Sequence, residues 1–420
     1  MLFASYVSHM ITEFILNQTI KKVFDDIRFM TPFELNNPKS KALSLNIRVP
    51  FCRAQCSYCL FRNYPWYRKL GKSYLDAVKK ELESYSDLLN DVKIESVYFS
   101  GGTPSVMPEG VAEIIEHVKQ LFSFNGDISV EANPVDLKDE SLKVLVDAGV
   151  EKISIGVQSF SDGILKAIGR EHDSETAITA LKKVREFNFD YTNIDLMFSL
   201  PEQEVKDILH DLEIAVGLEV QGISTYPLIL LPGTKIYERV ESGAMKLPNE
   251  ETEQEMYETI IDYLTDSGYE MRALWSLATK PRNYFGPFEF EEYIGIGPNA
   301  WSLINDFLYL NTASLEEYIK FLKDGKLPIK KGTIFSSEKS MKLWFMRKLY
   351  NIRVNKAQFY NRFKTSIDHE LGRILVPLRL LGIIKIENDY VELTRKGLFY
   401  ASTATKKLSK KLLTSFYEPQ

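Results

Sequence analysis

Cysteine is nearly absent: three residues in a chain of 420, all between positions 52 and 59. So few thiols, odd in number, exclude the disulfide framework of a small secreted domain. Histidine is scarce too, five in all, which leaves little material for a histidine-ligated metal centre. No apolar run reaches the roughly 18 residues of a membrane span. Residues 1–30 alternate apolar and charged side chains without a signal-peptide core. An excess of positive charge is also missing. The 52 Lys and Arg stand against 57 Asp and Glu, a net charge of −5, with a pI of about 5.8. That argues against a nucleic-acid partner held by a general electrostatic field. Internal repeats and low-complexity tracts are lacking. These absences predict a cytoplasmic protein with reduced thiols. A hydrophobic content of 45% with 12% aromatics predicts a substantial packed core. The length allows one large domain plus a smaller one.

What the chain does have is Cys52-Arg53-Ala54-Gln55-Cys56-Ser57-Tyr58-Cys59. Three thiolates at C-x3-C-x2-C spacing suit three irons of a [4Fe–4S] cluster, because soft sulfur favours iron–sulfur chemistry. The fourth iron then has no protein thiolate, and the nearest histidines, His9 and His117, are far away in sequence. An open iron can be chelated by S-adenosylmethionine (SAM) through its amino and carboxylate groups. A zinc site normally takes four ligands and finds only three here.

Periodicity divides the rest. Residues 1–42 place Ile11, Phe14, Ile15, Ile20, Val23 and Ile27 at roughly helical spacing, a helical N-terminal arm. From 43 to about 230 apolar strands alternate with amphipathic helices. Strands are predicted over 43–49, 94–100, 128–131, 152–158, 191–198 and 222–228, with helices over 74–89, 110–121, 139–148 and 205–216. Six such units predict an α/β fold, a partial (β/α)6 TIM-like barrel. Functional residues of that architecture gather at the strands' carboxyl ends, where Cys52, Gly101, Glu131, Gln158, Asp195 and Tyr226 fall. The barrel and its extension are read as 43–300, then 301–329 as a linking segment. Residues 330–420 read as a C-terminal winged-helix-like α+β module: helices over 337–349, 355–363 and 371–381, then two strands around Asn388-Asp389. In an acidic chain that module is expected to pack or to cover substrate rather than to bind DNA. Its Lys406, Lys407, Lys410 and Lys411 read as a solvated helix face.

With these features in place, the chain resembles the radical SAM family of oxygen-independent coproporphyrinogen III oxidase. That family includes haem-chaperone relatives, anaerobic haem-degrading enzymes and class C radical SAM methyltransferases. The resemblance covers about residues 43–400. Its marks include Ile47-Arg48-Val49-Pro50-Phe51-Cys52, Tyr98-Phe99-Ser100-Gly101-Gly102-Thr103-Pro104-Ser105, Val130-Glu131-Ala132-Asn133-Pro134, Ser154-Ile155-Gly156-Val157-Gln158-Ser159-Phe160, Gly169-Arg170, Asn193-Ile194-Asp195-Leu196-Met197, Pro232-Gly233-Thr234 and Gly295-Ile296-Gly297-Pro298. The resemblance implies that Cys52, Cys56 and Cys59 bind the cluster. It implies that Gly101, Gly102 and Thr103 form the loop bonding the SAM amino group, and that Glu131 takes the ribose or amino group of the same molecule. Members of the family can bind a second SAM, and Tyr58, Gln158, Arg170 and Asp195 match positions that contact it. Without the resemblance, Glu131, Gln158 and Asp195 read rather as a buried polar network tying strands together, and Arg170 as a surface helix residue.

The chain also departs from the family's oxidases. Leu60-Phe61 follows the third cysteine, Asn46 and Arg48 stand where the oxidases carry tyrosine and histidine, and Trp301 replaces an isoleucine. Asn46 and Trp301 are therefore expected at cofactor-facing positions in a changed pocket. The haem chaperones' His-Asn-x-x-Tyr-Trp motif has no counterpart over 283–293. The implied chemistry is reductive cleavage of SAM to a 5′-deoxyadenosyl radical that takes hydrogen from an unreactive carbon. The departures favour methyl or methylene transfer to an sp² carbon. Coproporphyrinogen-oxidase-like or haem-degrading chemistry, and a non-catalytic haem- or SAM-binding role, stay open. Implied partners are a small-molecule substrate and an electron donor such as flavodoxin or ferredoxin, with the protein acting as a monomer.

Overall fold

The computed structural model describes residues 35, 38–61, 63–89, 92–122, 124–279 and 292–416. The arm expected over 1–42 lies almost wholly outside the described residues, as do residues 283–291 of the aromatic stretch. The described chain opens with β1 (Ala42–Val49), the two-residue strands β2 (Phe51–Cys52) and β3 (Tyr64–Pro65), and α1 (Arg68–Ser86). Strand–helix units follow. They are β4 (Lys93–Gly101) with α2 (Pro108–Leu121), β5 (Asp127–Ala132) with α3 (Asp139–Asp147), β6 (Lys152–Gln158) with α4 (Asp162–Ala167) and α5 (Ser174–Glu186), and β7 (Tyr191–Phe198) with α6 (Val205–Gly217). Next come β8 (Gly222–Pro227), α7 (Lys235–Glu241), α8 (Glu250–Asp266), β9 (Glu270–Ala273) and β10 (Ser276–Ala278). Then β11 (Tyr293–Ile296), β12 (Trp301–Ile304), β13 (Phe307–Asn311), α9 (Leu315–Lys323) and β14 (Ile329–Ile334) lead into the last module.

β1, β4, β5, β6, β7 and β8 run side by side and parallel, the six strands of a partial barrel. β11 returns parallel on the free edge of β1, and β12, β13 and β14 continue that edge antiparallel. The segment 301–329 is thus not a bare connection. Its two short apolar runs flank Asn305-Asp306, both at positive φ (52° and 65°), which is the turn that folds a tight hairpin.

The strands have two unlike faces. Leu43, Leu45, Ile47 and Val49 are fully buried against the helices. Ser44, Asn46 and Arg48 alternate with them and face the barrel interior. The same alternation sets Tyr98, Ser129, Glu131, Ser154, Asn193, Asp195 and Ser224 opposite Phe99, Val130, Ile153, Ile155, Ile194 and Ile223. Parallel barrels usually fill their interior with branched apolar side chains. Here the interior is polar, which is how a ligand cavity is built.

A buried carboxylate fixes the seam between barrel and extension. Glu81 of α1 is 0% exposed. It accepts hydrogen bonds from the Gly297 amide (2.8 Å), Asn311 Nδ2 (2.7 Å) and the Tyr318 hydroxyl (2.5 Å). Burial outweighs these three donors and pushes the carboxyl up to about 7.

The last module has α10 (Ser337–Tyr350), β15 (Arg353–Asn355), α11 (Lys356–Phe363), α12 (Ile367–Leu380), β16 (Ile384–Ile386), β17 (Tyr390–Leu393) and α13 (Arg395–Phe416). Its three-stranded antiparallel sheet, ordered β15-β17-β16, carries the helices of a winged helix. The 22-residue α13 clasps the barrel. Ser402 accepts from Trp275 Nε1 at 2.7 Å, Lys406 pairs with Glu253 at 2.6 Å, and Arg395 pairs with Asp262 at 2.6 Å. Lys406 is thereby a tie to α8, whereas the sequence placed it on a solvated face. Among the described residues no helix is long and apolar enough to cross a membrane.

Candidate active site

Chain direction decides where the cysteines sit. β1 runs into Pro50, β2 carries Phe51 and Cys52, and Cys52 registers with Pro65 of β3. The loop beyond Cys52 is held from two sides. The Ser57 amide donates to Ile168 O at the end of α4 (2.9 Å), and Ser57 O accepts from the Ile236 amide at the start of α7 (2.9 Å). Cys59 closes a turn onto Cys56 O at 3.2 Å. All three thiols are free and half-buried.

Burial pushes Cys52 up to about 12 and raises Cys59 as well. As thiols they stay protonated at neutral pH, so only a bound metal makes them thiolates. Among the described residues no three His, Cys, Asp or Glu side chains could hold a metal ion between them. In a [4Fe–4S] cubane each of the three cysteines would bind a different iron.

The Gly101-Gly102-Thr103 loop lies against the strand that delivers Cys52. Gly102 and Thr103 donate to Val49 O and Phe51 O, both at 2.7 Å. A Cβ on Gly102 would meet Phe51 O at 2.5 Å, and Gly101 holds φ +114°. These glycines are needed for contact with the chain's own backbone, a reason the sequence did not disclose. Thr103 Oγ1 sits 3.3 Å from Cys52 Sγ.

Tyr58 and Arg170 meet at Cys56. Arg170 Nη1 donates to Cys56 Sγ (3.3 Å) and Nη2 to Gly156 O (2.5 Å), while its buried Nε has no partner. Burial works against the Arg170 charge, yet neighbouring Tyr58 and Cys56 outweigh it and raise its pKa. Arg170 is therefore half-buried at the cluster loop rather than on the surface. Gln158, at φ 73° where β6 bulges against β7, converges with Arg170 on Gly156.

Deeper in the barrel, Glu131 accepts from the Tyr98 hydroxyl and from the Gly101 amide, and burial raises its pKa. Asp195 is pushed up to about 7, first by burial and then by Glu131. Ser154 Oγ and Asn193 Nδ2, both at 3.1 Å, donate to it. Asn46 lies between Tyr98 and Gly295 in register, and its buried Oδ1 is unpartnered. Trp301, opening β12, packs with Tyr293, Leu303, Leu308, Leu310 and Phe335.

The sequence reading treated Arg48 only as a departure. In the structure it is 7% exposed, stacks 4.5 Å over Phe61 and bonds Asn63 at 3.3 Å. It braces the far end of the cysteine loop with its buried Nε unpartnered. Alternation along β1 carried the signal. The paired groups fit SAM: carboxylates raised by burial suit its sulfonium and ammonium charges, and arginines with spare donors suit its carboxylate.

Residues 46–212 match the family described as "Radical SAM superfamily". The chain is 29% identical to the heme chaperone HemW of Bacillus subtilis (strain 168), over 84% of this chain and 96% of that protein. It is 31% identical to the heme chaperone HemW of Haemophilus influenzae, over 63% of this chain and 70% of that protein. The solved structure of coproporphyrinogen III oxidase (HemN) from Escherichia coli superposes with a TM-score of 0.76 at 22% identity, covering 87% of this chain and 90% of that one. A three-cysteine loop on a polar partial barrel and the likeness to these proteins agree. The chain belongs to the radical SAM superfamily, within the family of oxygen-independent coproporphyrinogen III oxidase and its haem-chaperone relatives.

Proposed function

We propose that this protein is a radical SAM enzyme that cleaves SAM reductively and uses a tetrapyrrole as its substrate. The family uses a [4Fe–4S] cluster and SAM. Cys52, Cys56 and Cys59 would hold the cluster and its open iron would hold SAM, so that the cluster would supply the electron and SAM the 5′-deoxyadenosyl radical. The polar interior face carries the reading. Glu131, Asp195 and Asn46 lie below the cysteine loop with Arg48 and Arg170 at its rim, and none of them serves an apolar core. Glu131 and the Gly101–Thr103 loop would orient the nucleoside and amino group. Arg170, Gln158, Tyr58 and Asp195 are proposed to hold a second SAM beside the first. Losing the Arg170 fork should weaken one SAM site by roughly 30- to 150-fold, on the order of 2–3 kcal/mol, without preventing cluster assembly.

The tetrapyrrole rests on the relatives, whose names concern haem and coproporphyrinogen. Methyl transfer has no such support. A second reading, a haem-binding protein that does not turn over, is favoured by the relatives named heme chaperone. Anaerobic incubation of reconstituted protein with SAM and reductant, with and without haem or coproporphyrinogen III, separates the readings. Stimulation of 5′-deoxyadenosine release by a tetrapyrrole, with a modified product, supports the enzyme. Stoichiometric haem binding without cleavage supports the chaperone. Cleavage indifferent to both compounds contradicts the proposed substrate.

A further inference from the structure

A strongly basic stretch sits where the cysteine loop meets the surface. Residues 53–75 hold five Lys or Arg and no Asp or Glu, in a chain whose acids outnumber its bases by 57 to 52. Of these, Arg53, Arg68, Lys69 and Lys72 are exposed, and Tyr67 among them is 55% exposed. Arg53 is tied to Asp136 at 2.5 Å. On the loop's other side, Lys166 and Lys235 are exposed within two residues of Ile168 and Ile236, which anchor Ser57.

This surface is wired to the cluster site through rigid structure. Pro65 registers with Cys52 across the β2–β3 pair, and Tyr67 is two residues further on, at most about 7 Å of extended chain. Between them, Trp66 packs edge-on to Phe51, the residue before Cys52, with ring centroids 5.3 Å apart. Phe51 packs in turn on Tyr74 at 5.4 Å. An exposed aromatic among exposed positive charges, backed by buried rings that lead toward Cys52, has the chemistry that a docking face for a redox partner needs. Aromatic anchors supply contact energy, and complementary charge supplies orientation and on-rate.

We infer that Tyr67, Arg68, Lys69 and Lys72, flanked by Lys166 and Lys235, form the docking surface for a small acidic one-electron carrier that reduces the cluster. The inference rests on the proposed function, which requires an electron. One electron leaves the carrier's reduced flavin or iron–sulfur centre, and the cluster passes from its oxidised to its singly reduced state. No bond is made or broken.

The test uses the full chain, reconstituted anaerobically, and reduced flavodoxin, an acidic flavin protein, as the probe. Cluster reduction is followed by stopped-flow absorbance, and equilibrium binding of oxidised flavodoxin by its flavin fluorescence. Wild type should show a rate that falls steeply with ionic strength. Lys69→Glu/Lys72→Glu should lose on the order of tenfold or more in that rate and bind flavodoxin correspondingly more weakly. Iron content and reduction by dithionite should be unchanged. Lys182→Glu, an exposed reversal on α5, should change neither reading. Equal rates and affinities in wild type and double variant, or an equal loss in Lys182→Glu, would overturn the docking surface. If wild type assembles no cluster, the proposed function fails, and the binding measurement still decides the surface.

Discussion

Asp195 shows what a single residue contributes and how far it was legible. Its place at a strand end was readable from alternation and from the family motif. Its electrostatic state was not, because that depends on Glu131 and on burial across three strands. With Asp195 pushed up to about 7, protons compete with any cationic or donor group bound there. SAM affinity should therefore fall as pH drops below about 7, by up to about tenfold per pH unit. Asp195→Asn should bind more weakly at pH 8 and show no such slope; equilibrium dialysis at pH 6, 7 and 8 checks this. Glu81 was invisible in the sequence, since a glutamate on an amphipathic helix normally faces water. Its partners Gly297, Asn311 and Tyr318 lie more than 200 residues away along the chain. Its folded pKa of about 7 exceeds the ordinary value of about 4.3. The folded state thus holds the extra proton between those values. The associated stability is full below about pH 4.3 and is lost as pH rises to about 7, a change of order a few kcal/mol. Glu81→Gln should remove about one proton's worth of that slope in urea melts between pH 5 and 7.

At the scale of elements, the six parallel strands were legible to within a residue or two because each pairs strong alternation with a turn signal. The extension was not, since β11 is four residues long and β12 and β13 are only four and five. Strands that short are defined by the neighbours they pair with. The glycine loop makes an element-level prediction. Gly102→Ala drives a Cβ to 2.5 Å from Phe51 O, so the loop must move off the strand that carries Cys52. Iron incorporation should fall well below wild type although every thiol remains. Gly163→Ala, whose Cβ meets nothing nearer than Ser161 Oγ at 3.9 Å, should incorporate iron normally. Ser402→Ala leaves the buried Trp275 indole N–H without its acceptor. The α13 clasp should weaken by about 1–3 kcal/mol, seen as faster hydrogen exchange in α13 and a lower urea midpoint.

Taken whole, the molecule is a barrel whose interior was given up to polar side chains, closed along one edge by an antiparallel extension and clasped by a winged-helix module. Fold class and the three-cysteine loop were readable because both lie in local patterns, strand–helix alternation and cysteine spacing. The substrate was not, because pocket walls come from distant segments. Arg48 and Phe61 meet only in three dimensions, and so do Trp301 and Phe335. The most direct measurement is 5′-deoxyadenosine formation by anaerobically reconstituted protein given SAM and a strong reductant, in wild type and in Cys52→Ala, Cys56→Ala and Cys59→Ala. Wild type should hold about four irons per chain and release 5′-deoxyadenosine, and each alanine variant should lose both. Stoichiometric iron in wild type with no 5′-deoxyadenosine under any reductant or tetrapyrrole would contradict the account.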